Sequence, residues 1–293
     1  MFSLARGVSS VAHKDVLGKT IAKARRGTVM GYSAAVAGVV AVAVGAYARF
    51  LRDEPGAEGF FIALLSAAGI LWLLSAVVFA RLREQPGAIE GGASALGEAM
   101  RSLGLLRNAQ FRRFVMTRSL LLSTALALPF YAVLARTQTG GGIGALGLMI
   151  IASGIAGSIS APWWGRMADR SSRRVLMLAA GGAGLLGVIT FVLVQADSPF
   201  LASDYGFALL FLLIGAIHSG IRLGRKTYLV DMATAETRAS YVAVSNTVIG
   251  VVMLVGGGFG MVAQAFGAAG AILTLAVVSL VGAWSAASLA EVQ

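Results

Sequence analysis

Long apolar runs separated by short charged stretches divide the chain. Eight runs come close to the ~20 residues that carry a helix across a bilayer core. They are 28–47, 60–82, 114–135, 143–164, 175–195, 205–221, 241–265 and 268–287. The pattern predicts an all-α, polytopic membrane helix bundle. Residues 1–27 form a basic segment with a short helix around Val8–Ile21. Residues 49–59 hold Asp53, Glu54, Pro55 and Glu58 and read as an outside loop. The longest non-apolar stretch is 83–112. It contains Pro86-Gly87, Gly91-Gly92 and an amphipathic piece near 95–106, and reads as an inside linker with a surface helix. The chain therefore divides into 1–82, 83–112 and 113–293. Pro129 is expected to kink the third run.

The stretch Gly165–Arg174, GRMADRSSRR, is a charged, Gly-led turn between the fourth and fifth runs. A connection this short makes the two helices antiparallel neighbours. Gly165 lets the chain turn tightly and lets another backbone come close. Asp169 can meet the unpaired N–H groups of a helix N-terminus, its own or a neighbour's. Arg170, Arg173 and Arg174 can pair with Asp169, with carbonyls at a helix C-terminus or with lipid headgroups. Four arginines against one aspartate place the turn on the cytoplasmic side.

This G-x-x-x-D-R-x-x-R-R order resembles the signature cytoplasmic loop of the major facilitator superfamily. Ser172 stands where that family usually has Gly. The resemblance implies a bundle of two six-helix halves that rock about a central site. It also implies that Gly165, Asp169, Arg170, Arg173 and Arg174 form a cytoplasmic latch. The latch's expected partner is the start of the first span, near Arg26–Thr28.

Composition agrees with a membrane protein. Hydrophobic residues make up 57% and charged residues 13%, and the mean hydropathy is +0.81, outside the range of an ordinary soluble domain. The net charge of +11 does not point to nucleic acid, because the charges cluster between apolar runs. Of the 24 lysines and arginines, all but Arg49, Arg52 and Arg136 fall on one side of the predicted topology. That side is the cytoplasm, both termini lie there, and the plasma (inner) membrane is the expected location. The absence of cysteine excludes disulfides and thiolate chemistry. His13 and His218 are far apart in sequence, so no histidine metal cluster is expected.

A faint repeat runs through the chain. Lys14, Arg26, Ser33 and Gly38 recur in the same spacing as Lys226, Arg238, Ser245 and Gly250, and transporters are often built of two related halves. Combined with the resemblance, the repeat leads to the expectation that 1–82 corresponds to the last two helices of a first half. Residues 113–293 then correspond to a complete second half.

Candidate chemistry within the spans is sparse. Arg118 can hold an anion, pair with an acid or snorkel to the interface. Tyr131 and Asn246 are candidates for lining a cavity, and His218 and Arg222 for gating at the inside end of the sixth run. No catalytic arrangement falls within a span, so no enzyme activity, cofactor or metal is expected. The resemblance implies secondary active transport of a small molecule by alternating access, as a permease or exporter, with protons as a candidate coupling ion. The alternative is a non-transporting shortened paralogue that serves as a membrane interaction or scaffold protein.

Overall fold

The structure, a computed structural model, describes residues 9, 12–13, 16–17, 19–50, 57–82, 103–140, 143–234 and 237–292. Most of the expected surface helix in the linker, and the turn around Asp53, lie outside these residues. The major helices are α1 (Arg26–Phe50), α2 (Ala57–Ala80), α3 (Ala109–Leu120), α4 (Ser123–Thr139), α5 (Ile143–Gln195), α6 (Asp204–Met232), α7 (Arg238–Gly256) and α8 (Phe259–Ala287). No strand occurs among the described residues.

Among the described residues seven helical segments are long and apolar enough to cross a membrane, and α3 with α4 counts as one of them. The longest, Gly147–Gln195, holds two passes. Its helix is interrupted at Ser171, where φ −164° and ψ 98° are extended rather than helical. Contacts with α6 show the reversal. Before the break, Gly215 lies against Ser153 and Ala156, and Gly220 lies against Trp164. After it, Gly224 lies against Val175 and Leu176, Gly220 against Ala179, and Gly182 against Ile217. The arm 143–170 therefore runs parallel to α6 and the arm 172–195 runs antiparallel to it.

The breaks depart from the expectation in three places. Residues 165–170 remain helical, so Gly165 does not make the turn; Ser171 does. Its hydroxyl accepts from Arg174 N at 3.1 Å, the arrangement by which a serine starts a helix. The third span is interrupted at Leu121–Leu122, one turn and more before Pro129. There the Thr124 hydroxyl donates to the Leu121 carbonyl at 3.0 Å and so satisfies a group that the break frees. The seventh run is interrupted at Gly257–Gly258, between α7 and α8, and Gly267, at φ 70° and ψ 175°, breaks α8 into the arms 259–266 and 268–287. Such a φ favours glycine.

In a bilayer, helices gain little by leaving lipid, so close packing holds them together. The seam of α1 with the arm 143–170 shows this. A Cβ on Gly27 would stand 2.4 Å from the Gly165 carbonyl oxygen, and one on Gly38 would stand 2.6 Å from the Gly154 carbonyl oxygen. The interior of the bundle has two clusters. One gathers Phe111, Phe114, Trp164, Tyr228 and Tyr241 near the Ser171 turn; the other gathers Tyr131, Phe207, Phe211 and Ile272 farther from it. Phe111 stacks on Tyr241 with ring centroids 4.2 Å apart, and Phe114 on Tyr228 at 5.0 Å. By contrast, α2 is apolar on every side and leaves Leu65, Leu71, Leu73 and Leu74 exposed. A helix that is apolar all round suits lipid contact.

Candidate functional site

Asp169 lies near the C-terminal end of the arm 143–170. A carboxylate there is disfavoured by its own helix dipole and favoured at another helix's N-terminus. The fold supplies that second helix. Asp169 Oδ1 accepts from Gly27 N at 2.6 Å, and Oδ2 accepts from Thr28 N at 2.8 Å. The Thr28 hydroxyl also donates to Oδ2. These are the first amides of α1, which have no partner within their own helix. Gly165 and Gly27 permit the approach, because neither interposes a side chain.

The arginines of the turn separate. Arg173 reaches the C-terminal tail, with Nε 3.5 Å from Glu291 Oε2 and Nη1 donating to the Leu289 carbonyl at 3.2 Å. The Ser171 hydroxyl donates to Glu291 at 2.7 Å, and Tyr228 donates to the Ala290 carbonyl at 2.9 Å. Arg170 and Arg174 are exposed. Arg26, beside the clasp, donates to Asp231 of α6 at 2.7 Å, and the Asp231 side chain is fully buried. The Arg26–Asp231 and Glu291–Ser171 contacts were not expected from the sequence. Two signals point to Arg26, its recurrence at Arg238 and its place in the Arg26–Thr28 stretch expected to meet the latch.

Arg118 and Asn246 come together. Arg118, on the last turn of α3, donates through Nη1 to the Ser245 hydroxyl and through Nη2 to Asn246 Oδ1 at 3.0 Å. Tyr131 stands apart from them, with its hydroxyl 3.4 Å from that of Thr190 inside the bundle. His218 and Arg222 do not end their helix, because α6 continues to Met232. His218 Nδ1 lies 3.5 Å from the Thr124 hydroxyl. A cavity of about 280 Å³ opens between α1, the arm 143–170 and α6, and Arg222 lines it together with Gly38, Ser153, Gly154 and Phe211. Among the described residues no three His, Cys, Asp or Glu side chains gather as metal ligands.

Two antiparallel arms are thus joined at a basic turn whose aspartate clasps a neighbouring helix. The family model described as Major Facilitator Superfamily matches residues 114–291, more than half of the chain. The chain belongs to the major facilitator superfamily. It is an integral membrane protein with the general role of a transporter, as members of this family have. No curated protein matches it. The matched segment includes the arginine turn, the Arg118–Asn246 pair and the whole of α6. The helix that Asp169 clasps, α1, lies before the matched segment.

Proposed function

We propose that this protein carries a small molecule across the membrane by alternating access, as a secondary active transporter. The observation that carries the reading is the clasp of Asp169 on the first amides of α1. A carboxylate on a helix N-terminus is a contact that can be made in one arrangement of the helices and lost in another. It involves no covalent change, and its strength depends on geometry. Rocking of α1 against the arm 143–170 opens or closes the cavity between them, with the clasp as the latch of one access state. The driving force is an ion gradient, with protons as the candidate ion, or the substrate's own gradient. The end of the bundle that carries Lys23, Arg25, Arg170 and Arg174 faces the cytoplasm, by the distribution of positive charge. Both termini share that side, in a plasma membrane.

The test is flux in vesicles holding the purified chain. Asp169→Asn keeps one acceptor oxygen and loses the charge. Transport should fall by about tenfold, the equivalent of ~1.4 kcal/mol in the balance of two states. Insertion into the membrane should be unchanged. Wild-type flux in Asp169→Asn would rule out the latch.

A further inference from the structure

One face of α6 carries Phe211, His218, Arg222 and Arg225 at spacings of three, four and seven residues, so they line up along the helix. Arg222 lines the cavity between α1, the arm 143–170 and α6. Arg225 is near enough to act electrostatically on His218 and on Arg118 of α3, and the Thr124 hydroxyl of α4 lies 3.5 Å from His218 Nδ1. Three guanidiniums and an imidazole thus converge inside the bundle.

Nothing acidic answers them among the described residues. Asp169 is held by Gly27 and Thr28, Asp231 by Arg26, and Glu291 by Ser171 and Arg173. Asp197 lies between the arm 172–195 and α6, and Asp204 is the first residue of α6, at the opposite end of the bundle from the Ser171 turn. The hydrogen-bond partners of Arg118, Ser245 and Asn246, are neutral. Arg118 is 9% exposed, and its Nε is buried with no hydrogen-bond partner. Uncompensated charge at membrane depth is costly and marks a pathway for ions or substrate. A guanidinium offers a planar fork that matches the oxygens of a carboxylate or phosphate. The rest of the cavity wall is apolar or small, from Ala34 and Gly38 to Met149 and Phe211.

We propose that Arg118, His218, Arg222 and Arg225 form the substrate site of this transporter and that the substrate is an oxyanion carried on an apolar body. Arg222 and Arg225 hold the oxyanion, Arg118 adds the donor left over from its bonds to Ser245 and Asn246, and the wall of α1 and Phe211 takes the apolar part. That the anion is cargo rests on the transport reading; that it binds does not.

The experiment is equilibrium binding of benzoate and of phenyl phosphate to the full chain purified in neutral detergent. At least one of the two should bind and benzylammonium should not. Removing a guanidinium from a buried, hydrogen-bonded charge pair costs 2 kcal/mol or more, so Arg222→Gln and Arg225→Gln should each weaken binding by about thirtyfold or more. Both side chains are half-buried, so folding should survive the change. Arg222→Lys, which keeps the charge, should recover part of the affinity. Arg136→Gln, at an exposed position at the end of α4, should bind as wild type. The proposal is overturned if neither anion binds, if benzylammonium competes equally, or if the two glutamine variants bind as wild type. It is also overturned if phosphatidylglycerol alone occupies the site, which would make it a lipid headgroup site. Binding without flux in vesicles would uphold the anion site and remove the transport reading. Flux without anion binding would do the reverse.

Discussion

The Gly27 amide donates to the Asp169 carboxylate over 2.6 Å, although 142 positions separate the two residues. The bond exists because Gly27 also lies against the Gly165 carbonyl, where a Cβ would stand 2.4 Å from the oxygen. Gly27→Ala should therefore push α1 away and break the bond together with the packing. Overpacking of this kind costs roughly 1–3 kcal/mol. Thermal unfolding in detergent should show the loss, and unchanged unfolding would mean that the helices separate freely.

The two glycines related by the repeat should respond in opposite ways. Gly38 faces Ser158 and Gly154, with a built Cβ only 2.5 Å from the Ser158 hydroxyl, whereas Gly250 has nothing within 4 Å of a built Cβ. Gly38→Ala should destabilise by roughly 1–3 kcal/mol. Gly250→Ala should be neutral or should stabilise α7 by up to ~1 kcal/mol, the helix preference of Ala over Gly. Chemical denaturation of both variants checks the contrast.

Arg26 and Asp231 join the start of α1 to α6 at 2.7 Å, with 10% and 0% of their side chains exposed. Arg26→Gln removes the cation from a buried carboxylate. Loss of one partner of a buried pair costs roughly 3 kcal/mol, more than neutralising both. The double variant Arg26→Gln/Asp231→Asn should accordingly be more stable than Arg26→Gln alone. A double-mutant cycle by thermal unfolding reads the difference; additive losses would remove the pairing from the account.

The tail contact should be weaker. Ser171 both starts the arm 172–195 and bonds Glu291. Ser171→Ala should cost about 1 kcal/mol, mostly through the lost cap. Glu291→Gln should cost less than about 1 kcal/mol, because Glu291 and Arg173 are more than a third exposed. Limited proteolysis of the C-terminus should be faster in both variants, and equal rates would mean the tail is held by other contacts.

Much of the architecture was legible in the residues themselves. Apolar runs of bilayer length have to become helices, because lipid offers no partner for an open backbone. The short basic stretch GRMADRSSRR had to join two antiparallel helices, whatever lay around it. The stripe of His218, Arg222 and Arg225 was also present in the spacing, although reading the sixth run as ending at Ile221 hid it. Those features are local, set by periodicity and composition within one segment. Which side chains meet across segments was decided by packing. Arg173 turns to Glu291 and the Leu289 carbonyl rather than to Asp169, and the break falls at Ser171 rather than Gly165. Arg118 finds Asn246 at a separation of 128 positions. No pattern within a run encodes such pairs. They follow from how closely glycine and alanine faces let helices approach, and that is a property of two surfaces together. The sequence alone determined a membrane bundle with a basic turn, and the tertiary structure decided that its aspartate would clasp α1 and that Arg222 would line the cavity beside that helix.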